Sequence, residues 1–133
     1  MATHRACKLL RVSAYPEKIR QHFADPRNTG ALEEPSGRGR AENAGCGDVL
    51  QIDVRIEDER VVGIVFQARA CSAVIATASL TTEAAKGELV ADVRKLDVDG
   101  IVEDAGGVPR SKAHAPRVVA RALGAALDDA ATA

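Results

Sequence analysis

Leu50-Gln51-Ile52-Asp53-Val54-Arg55-Ile56-Glu57-Asp58-Glu59-Arg60-Val61-Val62-Gly63-Ile64-Val65-Phe66-Gln67 is the stretch on which the fold turns. Leu50, Ile52, Val54 and Ile56 alternate with polar residues, and Val62, Ile64 and Phe66 repeat the period after the polar turn Asp58-Glu59-Arg60. A period of two predicts two strands, and a polar turn between them predicts a hairpin. Bringing the apolar faces together pairs Ile56 with Val62, Val54 with Ile64 and Ile52 with Phe66, because a one-residue slip would turn one face to water. The same register sets Gly47 opposite Cys71, so Cys46 and Cys71 meet at one end of the hairpin.

Outward from the hairpin, Ser72 to Lys86 is rich in Ala, Leu and Thr, lacks Pro and Gly, and stops at Gly87, which predicts a helix with Ser72 as N-cap. Weaker helical patches fall at about 89 to 96 and 98 to 105, before the Gly106-Gly107-Val108-Pro109 break. From Ala115 to Asp129, Pro116 sits in the first turn and Val118, Val119, Ala122, Leu123, Ala126 and Leu127 fall at helical spacing. On the other side, Pro16 to Phe23 predicts a short helix with Ile19 and Phe23 on one face, ending at Asp25-Pro26. The glycine-rich stretch from Asn28 to Gly47 reads as loop with at most one irregular edge strand. The expected class is α+β: a small antiparallel sheet of about three strands with helices on one side.

The 133 residues suit one domain, taken as 14–133 behind a basic leader, 1–13. Lys plus Arg number 18 against 19 acids, which leaves no basic field for phosphates and argues against nucleic acid. No apolar run approaches the roughly 20 residues of a membrane span. MATHRACKLLRVS has no signal-peptide apolar run, so a cytoplasmic location is expected, a transit-peptide fragment being the alternative. Cys7, Cys46 and Cys71 are too few for a disulfide framework and read as thiols, with Cys7 incidental. His4 and His22 are assigned no role.

The hairpin thus gathers Cys46, Asp48 and Cys71. Two thiols and a carboxylate suit zinc or an iron-sulfur cluster, and a pair of small buried cysteines is the plain alternative. A helix starting after Cys71 should lower that thiol's pKa through its unpaired N–H groups. His114, just before the last helix, is the candidate fourth donor, against a plain capping or surface role.

Four stretches together resemble the IscU/NifU N-terminal family of iron-sulfur cluster assembly scaffolds, over about residues 15 to 130. They are Tyr15 to Phe23 followed by Pro26-Arg27-Asn28-Thr29-Gly30; Gly45-Cys46-Gly47-Asp48; Cys71-Ser72-Ala73 with Ala76-Thr77-Ala78-Ser79; and Lys112-Ala113-His114-Ala115. The resemblance implies ligand roles for Cys46, Asp48, Cys71 and His114 toward a [2Fe-2S] cluster or Zn2+, with Lys112 as a neighbouring basic residue. It implies a cysteine desulfurase as sulfur donor and apo iron-sulfur proteins as recipients. Two departures stand out. Ala115 occupies the family's third cysteine position and can neither bind metal nor accept sulfur. Val108-Pro109-Arg110-Ser111-Lys112 matches the family's chaperone-binding stretch only loosely, which argues against chaperone docking. The leading expectation is a non-catalytic scaffold or carrier with Asp48 as a labile ligand; the second is a zinc-binding module that docks a desulfurase without building clusters; the third keeps the fold and binds no metal.

Overall fold

The structure, a computed structural model, describes residues 15–45 and 47–132. The expectations for the leader, Cys7 and Cys46 lie outside the described residues. The chain runs α1 (Glu17–Ala24), β1 (Gly37–Asn43), β2 (Asp48–Glu57), β3 (Arg60–Arg69), α2 (Ser72–Ala85), α3 (Val90–Val93), α4 (Val98–Asp104), a 3-10 turn (Arg110–Lys112) and α5 (Ala115–Thr132). The sheet is antiparallel in the order β1-β2-β3. One of its faces packs on α2 and α5, as expected for this α+β arrangement.

The central pairs Ile52 with Phe66 and Val54 with Ile64 form as the alternation predicts. Each side chain is at most 2% exposed, and burial of each contributes about 1.5–3 kcal/mol, which holds this register against any slip. Near the turn the expected pairing fails. The loop is two residues, Asp58 and Glu59, both with positive φ, so Arg60 already pairs with Glu57. A bulge beside Arg55 and Ile56 then matches Ile56 with Val61 rather than Val62; Val61 is fully buried and Val62 is pushed out. Gly87 and Glu88, after α2, hydrogen-bond Val61 and so hold the bulged strand.

The glycine-rich stretch departs furthest from expectation. Its residues 37–43 form a regular edge strand in which Gly37, Gly39 and Ala41 face inward and Arg38, Arg40 and Glu42 outward. A Cβ at Gly39 would run into the backbone of Ala122, Ala125 and Ala126 on α5, and one at Gly37 into Ala126 and Ala130. The glycines are there so that helix backbone can lie directly on strand backbone. The side chains of Val118, Val119, Leu123 and Leu127 then fill the space over Leu50, Ile52 and Val54.

α1 attaches to α2 through polar contacts as well as through Tyr15, Ile19, Ala76 and Leu80. His22, 4% exposed, has Nδ1 2.7 Å from Ser79 Oγ, which also accepts the Arg27 N–H at 2.8 Å. Burial lowers the His22 pKa, against the pull of Glu83. Asn28, at φ 63, donates its side-chain amide to Thr82 and accepts the Phe66 N–H on its carbonyl, while Gly30 N–H returns a bond to Phe66 O. The Pro-Arg-Asn-Thr-Gly stretch therefore laces α1 to both the sheet edge and α2.

Replacing Gly39 by Ala should cost about 1–3 kcal/mol by overpacking. Gly63→Ala, whose Cβ would meet nothing closer than Arg55 Cβ at 3.5 Å, should cost far less. Urea unfolding of the two variants against the parent checks the contrast.

Candidate metal centre

β2 begins at Asp48, α2 begins after Cys71, and α5 begins after His114, and all three starts lie at one end of the sheet. The ladder between β2 and β3 ends at Val49 and Arg69, so the expected opposition of Gly47 and Cys71 is not part of it. A side chain continues the connection instead: Cys71 donates its backbone N–H to Asp48 Oδ1 at 2.9 Å. Asp48, 1% exposed, has its other oxygen 3.0 Å from Nε2 of His114. The same Nε2 is 3.9 Å from Cys71 Sγ.

One ring nitrogen thus faces both a carboxylate oxygen and a sulfur. The tautomer with its N–H at Nε2 can donate to the carboxylate oxygen at 3.0 Å, whereas coordination through that atom needs its lone pair free. Donor atoms from Asp48, Cys71 and His114 all lie within 4.8 Å of one another. Thiolate, imidazole and carboxylate are all ligands a borderline-soft metal accepts. Of the four residues put forward from sequence, the fold gathers these three, and Cys46 lies outside the described residues. Lys112 bears on Cys71 as a nearby positive charge. Ala115 is fully buried in the core against the sheet, so the position contributes packing and no donor atom.

The Cys71 thiol departs from the sequence expectation. Cys71, not Ser72, is the N-cap of α2. Burial pushes its pKa up; the Val74 N–H opposes this, the Asp48 charge adds to it, and Lys112 and the Ala73 N–H pull weakly down. The helix start acts with the expected sign, and desolvation outweighs it. His22 was assigned no role, yet it is a buried part of the attachment of α1. Its position three after Ile19, on the apolar face, was the available signal.

In a Cys7→Ser/Cys46→Ser background, alkylation of Cys71 should reach half its maximal rate above the ~8.5 of an unperturbed thiol. Asp48→Asn should move that midpoint down, since it removes the charge and keeps an acceptor for the Cys71 N–H. Iodoacetamide rates against pH check both; a midpoint below ~8.5 in the background protein would show that the helix start wins.

Residues 14–131 match the sequence profile of the NifU-like N terminal domain. Two iron-sulfur cluster assembly scaffold proteins, IscU, of Archaeoglobus fulgidus are each 39% identical over 115 residues, covering 86% of this chain and 75% of theirs. The scaffold protein IscU of Haemophilus influenzae is 31% identical over 120 residues, covering 87% of this chain and 94% of its own. Among solved structures, a protein assigned to the SUF system for iron-sulfur cluster assembly in Fervidobacterium islandicum superposes with a TM-score of 0.71 at 15% identity. It covers 85% of this chain and 96% of the other. The N-terminal part of a NifU-like protein from Brucella abortus gives 0.65 at 16% identity, over 85% and 89%. At such identities these two likenesses speak to the fold alone. With a profile spanning nearly the whole chain and relatives above 30% identity, the chain belongs to the NifU-like N-terminal domain family, the family of the IscU scaffolds.

Proposed function

We infer that this protein is an iron-sulfur cluster assembly scaffold, and that the end of the sheet is where it holds its cargo. The observation that carries the reading is the convergence of Asp48, Cys71 Sγ and His114 Nε2 on one point from three separate elements. A sulfur, a nitrogen and a carboxylate oxygen fit the requirements of iron in a cluster whose thiolate set is incomplete. Cys46, next but one to Asp48 in sequence, is the second thiolate of the proposed set. The relatives' names as assembly scaffolds support the same reading.

The cargo in this reading is a [2Fe-2S] cluster held by Cys46, Cys71 and His114, with Asp48 as the labile ligand, since oxygen holds iron less tightly than thiolate. Sulfur comes from a cysteine desulfurase, and apo iron-sulfur proteins receive the product. The role is holding and transfer rather than catalysis. Among the described residues no helix is long and apolar enough to cross a membrane, and a cytoplasmic site of action fits the use of free thiols. Ala115 is the observation that favours a second reading. Without a thiol there, the residues offer two sulfurs, an imidazole and a carboxylate, a set that closes a tetrahedral zinc shell.

Anaerobic reconstitution with ferrous iron, sulfide and a desulfurase should give visible cluster absorbance. Cys71→Ser and His114→Ala should each lose the cluster to a chelator at least about tenfold faster. No absorbance in the parent, or absorbance unchanged in Cys71→Ser, would overturn the scaffold reading. Protein isolated with one equivalent of zinc that refuses a cluster, and whose Tm falls on chelation, would establish the zinc reading in its place.

A further inference from the structure

At the end of the sheet away from the metal centre, the segments 56–61, 87–94 and 126–131 border an open groove of about 810 Å3, walled by Ile56, Leu89, Val90, Leu127 and Ala130. Leu89 is 37% exposed, one of two large apolar side chains left in solvent among the described residues. The three segments carry seven acids and two bases, a net of −5 in a chain whose whole charge is −1. Of the two charged residues that line the groove, Arg94 is already held by Asp128 at 2.9 Å, whereas the Glu59 carboxylate has no partner among the described residues. Asp58 and Glu88, both exposed, stand beside it in the turn and before Leu89. The backbone holds Glu59 at φ 64, a conformation that glycine adopts without strain and glutamate does not. Beside the turn the edge of β3 is taken: Val61 N–H bonds Glu88 O, Gly87 N–H bonds Val61 O, and Val90 N–H bonds Glu59 O. A strand cannot be added there, so recognition in the groove falls to side chains.

We propose that the groove receives an amphipathic helix of a partner protein, which sets aliphatic side chains against Leu89, Val90 and Ala130 and Lys or Arg against Glu59, Asp58 and Glu88. Charge decides the chemistry of the occupant. A second copy of this chain seated groove to groove would bring like charge against like, and an anionic membrane surface or a fatty acid carries the same sign as the rim. A helix whose apolar stripe is bordered by cations matches both the walls and the rim, through the i, i+3, i+4 anchors that such grooves read. β2 runs nine residue steps from Asp48 to Glu57, about 30 Å, so a partner held here leaves the metal centre uncovered. The groove thus serves to hold the protein in an assembly while the other end handles cargo.

Three short synthetic helical peptides test this on the full chain, followed by amide NMR shifts and fluorescence anisotropy. One carries a leucine stripe with lysines elsewhere, one the same stripe with glutamates, and one lysines with alanine in place of leucine. The leucine–lysine peptide should saturate, shift only residues of the three bordering segments, and weaken with added salt. Leu89→Ser should weaken it at least about tenfold by removing the apolar anchor. Glu59→Gly should weaken it about two- to fivefold, the loss of one exposed ion pair, while its urea midpoint rises because the turn is relieved of strain. Cys71→Ser should bind the peptide as the parent does, which separates the groove from the metal centre. Equal affinity for either control peptide, or shifts elsewhere on the molecule, would overturn the proposal. A lowered urea midpoint in Glu59→Gly with unchanged binding would make that carboxylate structural and overturn its role. Groove shifts that grow with the protein's own concentration, with no peptide present, would assign the groove to a second copy and overturn the proposal as well.

Discussion

Backbone-to-backbone contact between β1 and α5 sets everything else in place. Gly37 and Gly39 leave no side chain between strand and helix, so α5 lies against the sheet at a distance no other residue would permit. Apolar side chains of the helix then seat over Leu50, Ile52 and Val54. A helix so fixed along the strands has its start fixed as well, at the end of the sheet where β2 begins. His114 is carried on that start, and the geometry of the donor cluster follows from a packing constraint at the opposite edge of the sheet.

Two buried carboxylates of β2 show how partners separate architecture from chemistry. Asp53 and Asp48 are each 1% exposed. Burial would raise the Asp53 pKa, but the Arg38 guanidinium, bonding both oxygens at 2.7 and 2.9 Å, and the Leu32 N–H outweigh it and hold the carboxyl below its ordinary range. None of these partners binds a cation, so Asp53 is a clamp that pins the segment before β1 over the outer face of the sheet. Asp48 has an imidazole and a cysteine backbone as partners. Both belong to residues that offer a lone pair, and that difference, rather than burial, sets the candidate centre apart from the clamp.

The hairpin was legible in sequence because large β-branched and aromatic residues repeat with a period of two. The slip at Val61 was not, because two adjacent valines carry the same signal and only the two-residue turn decides which one faces inward. β1 escaped for a related reason. Its inward positions are Gly, Gly and Ala, which alternate in volume but hardly in hydrophobicity, and the strand reads as loop until the helix it serves is known. The candidate site was legible to the extent that it hangs on the hairpin: the strand register carries Asp48 and Cys71 to the same end, where the Cys71 N–H bonds Asp48. His114 could be put forward from its place before α5, but its approach depends on how α5 packs, which is not written in any local stretch. The sign of the Cys71 shift needed the depth of burial, which no local pattern contains.

Under the scaffold reading proposed above, the 3.0 Å contact between His114 and Asp48 bears on cargo handling. The tautomer that donates from Nε2 to the carboxylate uses the position on which a metal would settle, so in the proposed reading loading and unloading would exchange a proton for a metal ion. Such a site is organised before the cargo arrives and relaxes into a satisfied arrangement when it leaves. A carrier whose emptied form is comfortable surrenders its load at little cost, which is what handing it onward demands.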